Sequence, residues 1–286
     1  MHSDDEPVGV VLSRRQALAL LGIAGSALTV AGAGVAAADS GSGTHLDCVA
    51  KPEQVEGPYY VDENLKRVDI RSDPATGVVS EGAVLVLDLA VLQIKGHGCA
   101  PLKDALVDIW HCDAQGRYSD IKSEGTLGRK FLRGLQVTDR AGHVRFITIL
   151  PGWYHGRTVH YHVKIRTTGT DGNPYEFTSQ LYLTEEFKAQ YLAQDPYRAK
   201  GPQDTSNATD FIYAQGGDQM LLRPHKFGRR YAASFAIGLD LSDTEVGDDD
   251  SQGPGPGPGP GPGPGPGPGQ PPTTTPVPTT TAPPAP

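Results

Sequence analysis

Between residues 83 and 241 one pattern recurs: a run of β-branched, aliphatic or aromatic residues, then a turn. The runs are AVLVLDLAVLQI (83–94), ALVDIWHC (105–112), LRGLQVTD (132–139), VRFITI (144–149), VHYHVKIRT (159–167), FTSQLYL (177–183) and YAASFAIGLDL (231–241). DRAGH and TGTDGNP, which lie between runs, hold the Gly, Asn and Asp of turns. Short runs of this kind need a second sheet to cover their apolar face. Only TEEFKAQYLAQ reads as a helix, with Thr184 as N-cap and Glu185 and Glu186 in the first turn. The expected fold is all-β: an antiparallel β-sandwich with little helix and long loops that can carry an active site.

Neither end of the chain fits such a core. Arg14 and Arg15 precede an uncharged, Ala/Gly-rich stretch from Ala17 to Ala38, which closes on three alanines before Asp39. That layout predicts an export signal over residues 1–38, of twin-arginine type, with Ala17 where a bulky apolar residue is usual. A membrane-spanning helix is the alternative, because 22 uncharged residues can cross a bilayer; the many glycines and alanines make it a poor one. Export implies a secreted or cell-wall-associated protein with no membrane contact after the signal is removed. From 246 to 286 the chain becomes a Gly/Pro/Thr-rich tail with period-two Gly-Pro alternation. Collagen requires period three, and no apolar surface is left to bury, so a disordered spacer is expected there.

Residues 39–245 are left as one domain of ordinary size. The formal net charge is −8 and the chain has no basic block, which argues against a nucleic-acid partner. Three cysteines allow one disulfide. Cys99 and Cys112 flank a predicted strand about 25 Å long, so a bridge is expected to involve Cys48.

On a strand, His160 and His162 of VHYHVKI project from one face, while Val159, Tyr161 and Val163 point into packing. The pair is a weak metal signal alone. Tyr154 and Arg157 lie in the loop entering the same strand, and Tyr118 follows another strand in VDIWHCDAQGRYSD. Imidazole suits zinc, copper and iron alike. Phenol has a pKa near 10, so a tyrosinate ligand at neutral pH needs a strongly Lewis-acidic cation. Two histidines with two tyrosines point to non-haem Fe(III). His111 and His155 are expected to be structural and rim residues, His143 to serve its turn, and Trp153 to form a pocket wall.

The order EGPYY, VDIWHCDAQGRYSD, RGLQVTDRAGHVRFITILPGWY, RTVHYHVKI and TSQLYL resembles the intradiol ring-cleavage dioxygenases, the protocatechuate 3,4- and catechol 1,2-dioxygenases. The resemblance runs from Pro52 to Leu183. It implies a β-sandwich holding Fe(III) through Tyr118, Tyr154, His160 and His162, with Arg157 as the active-site arginine and Gln180 lining the pocket. It also implies a small aromatic diol substrate, O2 as co-substrate, and ring cleavage between the hydroxylated carbons to a muconate-type diacid. In that scheme Tyr154 leaves the metal and takes a substrate proton, and Arg157 stabilises negative charge on the ring. Departures from the pattern are a short loop between Tyr154 and Arg157 and Tyr161 in place of a smaller residue. The chain also leaves no room for the helical dimerisation segment of the catechol enzymes, so a homo-oligomer stays open. Two rivals remain: a non-catalytic secreted sandwich that binds a surface polymer, and a zinc hydrolase, which lacks a well-placed carboxylate ligand.

Overall fold

The alternation of AVLVLDLAVLQI sets the architecture. In strand β1 (Val84–Lys95), Leu85, Leu87, Leu89 and Val91 are fully buried, while Val84, Val86 and Asp88 between them are only partly covered. In the computed structural model, which describes residues 49–96 and 98–243, β1 is the centre of the first sheet. One edge of β1 pairs antiparallel with β5 (His143–Ile149) and, farther along, with β2 (Gly98–Pro101). Its other edge pairs parallel with β10 (Arg230–Leu239), which in turn pairs antiparallel with β9 (His225–Phe227). The second sheet runs β4 (Arg133–Val137), β3 (Leu106–Trp110), β6 (His160–Thr168), β7 (Pro174–Leu183) and β8 (Leu221–Leu222).

The two sheets share one core. Leu85, Leu87, Phe146, Phe235 and Ile237 of the first belong to the same cluster as Val107, Tyr161, Val163, Ile165 and Phe177 of the second. Each large side chain buried there contributes about 1.5–3 kcal/mol. A change such as Leu87→Ala costs about 2–5 kcal/mol, because close packing leaves the cavity unfilled. Helix α1 (Glu185–Leu192) is capped by Thr184, whose side chain accepts from the Phe187 amide at 3.3 Å.

All seven runs form strands. The sheets are mixed where an antiparallel sandwich was expected: β1 with β10 and β7 with β8 are parallel. Parallel pairs require a crossover, and here the chain makes its excursion through α1 and several single-turn 3-10 helices before returning. Strands β2, β8 and β9 span four residues or fewer, too short to show a period. Cys99 lies on β2 and is disulfide-bonded, whereas Cys112, just past β3 in the other sheet, is a buried free thiol. Cys48, residues 1–38 and residues 246–286 lie outside the described residues. Among the described residues no helix is long and apolar enough to cross a membrane.

The topology gathers one set of ends. β5 leaves the first sheet at Ile149 and the chain re-enters the second at His160. Trp110, at the end of β3, lies opposite His162. The loops after β3 and β5 therefore meet over the start of β6.

Candidate metal centre

Strand periodicity splits β6 into two faces. Tyr161, Val163 and Ile165 enter the sandwich core, and His160, His162 and Lys164 face the other way. That second face is also buried: His160 is 2% and His162 1% exposed, because the two loops close over it. Trp110 stacks flat on the His162 ring, with centroids 4.7 Å apart and planes 7° apart.

Two glycines let the loops press together. A Cβ on Gly116 would stand 2.1 Å from the Trp153 carbonyl oxygen, and one on Gly152 would stand 2.3 Å from that of Ala114. The Gly152 amide donates to the Asp113 carbonyl at 3.0 Å. This clamp brings Tyr118, from the first loop, against Tyr154, from the second, with ring centroids 5.6 Å apart. Thr126 Oγ1 donates to the Tyr118 carbonyl at 2.6 Å and holds that residue in place.

Four donor atoms then converge. Tyr118 Oη lies 3.1 Å from His162 Nε2 and 3.5 Å from His160 Nε2. Tyr154 Oη lies 3.2 Å from His160 Nε2, and the two Nε2 atoms are 3.1 Å apart. Zinc and similar ions sit about 2.0–2.2 Å from nitrogen and oxygen donors, which sets donor pairs about 2.9 Å apart at a right angle and about 3.4 Å apart in a tetrahedron. The separations here match one such ion. The Nδ1 of His160 is 2.6 Å from the Thr158 carbonyl, which can only accept, so Nδ1 carries the hydrogen and Nε2 offers its lone pair to the cluster. The residues fit a metal ion.

Electrostatics agree with that fit. Burial, then the positive charge of Arg157, pushes His160 down to about 3, and burial with His160 and Arg157 drives His162 well below its ordinary value. Both are neutral at pH 7, as ligands must be. Burial raises both phenols, with the neighbouring Tyr154 adding to the effect on Tyr118 and Arg157 opposing it on Tyr154. Without a cation these phenols keep their protons.

Arg157 is held at the rim. Its Nε donates to Asp210 Oδ2 at 2.8 Å and its Nη2 to Gln180 Oε1 at 2.6 Å. Burial, which lowers the guanidinium pKa, is outweighed by Tyr154 and Asp210, so Arg157 stays charged. Asp210 also accepts from the amides of Thr158, Ile212 and Tyr213 at 2.8–2.9 Å. Tyr182 Oη lies 2.9 Å from Gln54 Oε1 and 3.1 Å from Gln180 Oε1, two acceptors that share its single hydrogen. Tyr59 stacks on Tyr118 with centroids 4.3 Å apart and meets Tyr154 edge-on at 5.8 Å.

The structure therefore brings Tyr118, Tyr154, His160 and His162 together and sets Arg157 and Gln180 beside them. Trp153 is placed differently: its indole donates to the Gly201 carbonyl at 2.9 Å and lies under Lys200, contacts that buttress the loop from outside. His111 turns into the sandwich, bonded to the Cys112 carbonyl at 2.8 Å and Thr148 Oγ1 at 2.6 Å. His155 is exposed and pairs with Asp204. The amide of His143 donates to Asp139 Oδ1 at 2.9 Å, which closes the DRAGH turn. Sequence reasoning missed Asp210, Tyr182, Gln54 and the role of Tyr59. Tyr59 stood within EGPYY; Asp210 carried no motif and is found only through its four hydrogen bonds.

Comparison with known proteins bears on this geometry. A dioxygenase family model, Dioxygenase_C, matches residues 55–174. A catechol 1,2-dioxygenase of Acinetobacter baylyi is 29% identical over 169 residues, 48% of this chain and 51% of that protein. A protocatechuate 3,4-dioxygenase beta chain of Burkholderia cepacia is 33% identical over 101 residues, 34% of this chain and 42% of its own. The chain thus spans about half the length of the curated relatives it matches. An intradiol ring-cleavage dioxygenase structure from Tetranychus urticae superposes with TM-score 0.59 at 27% identity, covering 68% of this chain and 96% of that one. With residues 55–174 matched by the family model and nearly the whole of a solved member matched in space, sequence and structure together support the intradiol ring-cleavage dioxygenase family for this chain.

Proposed function

We propose that this protein is an exported non-haem Fe(III) dioxygenase that cleaves catechol-type rings between the two hydroxylated carbons, placing both atoms of O2 in a muconate-type diacid. One observation carries the reading: two phenols and two neutral imidazoles are linked by four donor-to-donor separations of 3.1–3.5 Å. Tyr118, Tyr154, His160 and His162 would hold the iron. Ferric iron there would supply the Lewis acidity that ionises the phenols and binds the substrate oxygens.

The chain's own residues do the rest. Tyr154 is less buried than Tyr118 and adjoins Arg157, so its phenolate oxygen is the one placed to accept a proton from an entering diol. Arg157, fixed through Asp210 and Gln180, presents a permanent positive charge where the ring gains negative charge. Tyr59 covers Tyr118 and excludes water from that side. Residues 1–38 are proposed as the export signal of a secreted or wall-associated protein, and 246–286 as its spacer.

The test is the visible spectrum of the iron-loaded full chain, with catechol added under nitrogen. The expected result is a tyrosinate-to-iron band that moves to longer wavelength with catechol and recovers as O2 enters and a diacid forms. A colourless protein that binds no iron, with no change in any property on Tyr118→Phe, would instead support the non-catalytic sandwich.

A further inference from the structure

The chain has no unbroken basic run longer than a pair, yet one hairpin gathers four cations. The β9–β10 hairpin, RPHKFGRRY (223–231), puts Arg223, Lys226, Arg229 and Arg230 into eight residues, with His225 among them and no carboxylate between Gln219 and Gly238. All five are exposed. Among the described residues, none of the four cations has a carboxylate oxygen within 4.0 Å. Elsewhere arginines such as Arg71, Arg145 and Arg166 are paired with aspartates. The chain as a whole carries a formal charge of −8.

Register sorts the hairpin into two faces. Lys226 lies opposite Tyr231, whose ring turns inward against Phe187. Phe227 lies opposite Arg230 on the outer face, and His225 shares that face. Phe227 is 69% exposed. Charge on an edge strand blocks unwanted strand pairing, and Lys226 alone serves that purpose. A large exposed aromatic beside the cations works against it.

The hairpin also lies at the end of the sandwich where the four donors converge. β10 begins beside the start of β1, and β1 begins beside Ile149, from which the chain crosses to His160. In the second sheet His160 pairs with Tyr182 and Tyr182 with Leu221, so Arg223 comes directly after a strand about 10 Å from His160.

We propose that this hairpin is a docking surface for an anionic polymer that bears aromatic rings. The cations meet its charges, Phe227 meets its rings, and ring–guanidinium contact joins the two. The polymer is thereby held at the end of the protein where catechol-type units would be cleaved; that purpose rests on the dioxygenase reading, whereas binding does not. Nucleic acid also has charges and rings, but a net charge of −8 repels so dense a polyanion.

The experiment measures binding of the full chain, both metal-free and iron-loaded, to immobilised lignosulfonate, with polyacrylate and single-stranded DNA as comparators. Expected are salt-sensitive binding to lignosulfonate, a loss of about tenfold or more in Arg229→Ala/Arg230→Ala, and a loss of about threefold in Phe227→Ala. Phe227→Ala should leave the weaker polyacrylate binding unchanged. Neither variant touches the donor cluster, so turnover of free catechol should match the parent. Lignosulfonate binding that both variants retain in full overturns the proposal, as does equal binding to polyacrylate or tighter binding to DNA. Polymer binding without catechol turnover would sink the dioxygenase reading and leave the docking surface standing.

Discussion

Gly116 and Gly128 offer a matched pair of perturbations. Both have φ of +80°. A Cβ at Gly128 meets nothing within 4 Å, whereas at Gly116 it stands 2.1 Å from the Trp153 carbonyl oxygen and 2.5 Å from Lys200 Nζ. Alanine at either position pays the left-handed backbone cost of about 1–2 kcal/mol. At Gly116 the obstacle is backbone and cannot swing aside, so the loops carrying Tyr118 and Tyr154 must part by about 1 Å, at a further cost of about 2–3 kcal/mol. Lys200 Nζ would also lose its place on the Gln115 carbonyl, now at 2.6 Å. We expect Gly128→Ala to lose about 1–2 kcal/mol and Gly116→Ala about 3–5 kcal/mol in urea unfolding of the metal-free protein. Gly116→Ala should also weaken the iron–tyrosinate band, because parted loops separate the donors. Variants equal within about 0.5 kcal/mol would refute the idea that loop contact at Gly116 holds the two tyrosines together.

Three further outcomes follow from the same geometry. Burial drives His111 down to about 3 from 6.5, so the unfolded chain takes up a proton that the folded one refuses. Its stabilisation is complete above pH 6.5 and falls by about 1.4 kcal/mol per unit as pH drops toward 3; His111→Gln should flatten the acid side of the stability profile by that slope. Asp210→Asn places an amide against the Arg157 guanidinium and three backbone amides. It should cost about 3–5 kcal/mol in urea unfolding and lower kcat more than it raises KM. Lys188 is fully buried and donates to Thr158 Oγ1, Asn207 Oδ1 and Glu185 Oε1 at 2.6–2.8 Å. Lys188→Met strands those acceptors and should cost about 2–4 kcal/mol by the same assay.

The sequence disclosed what repeats or what carries unusual chemistry. Alternation placed His160 and His162 on one face and Tyr161 and Val163 on the other, because the strand period is two whatever the fold. Thr184 marked the only α-helix among the described residues, because its cap is local. What stayed hidden depends on long-range closure. The parallel pairing of β10 with β1 joins residues about 145 positions apart and leaves no local trace. Asp210 lies 53 residues from Arg157, in a segment without period or motif. Trp153 adjoins Tyr154 in sequence, yet neighbours in a loop share no rule of direction, and its indole points to Gly201. The basic hairpin escaped because its cations are interrupted by Pro224, His225, Phe227 and Gly228, so no basic run is longer than the pair Arg229 and Arg230.

The protons on the four donors give the sharpest check of the metal reading. At pH 7 both histidines are neutral, since burial holds His160 near 3 and His162 well below its ordinary value. They have no proton to give up to an incoming cation. Tyr118 and Tyr154 are in the opposite state, their phenols raised by burial and fully protonated. Ligation by all four must therefore release two protons per site, one from each tyrosine. Tyr118→Phe keeps the flat stack on Tyr59, now at 4.3 Å, and removes one of the two. Loading metal-free protein from a chelated ferric source in weak buffer, with a pH indicator and a protein-free blank, should show the variant releasing one proton fewer than the parent. Equal release would mean that Tyr118 stays a phenol, and a phenol 3.1 Å from His162 Nε2 would then be a hydrogen-bond partner of the histidine and not a ligand.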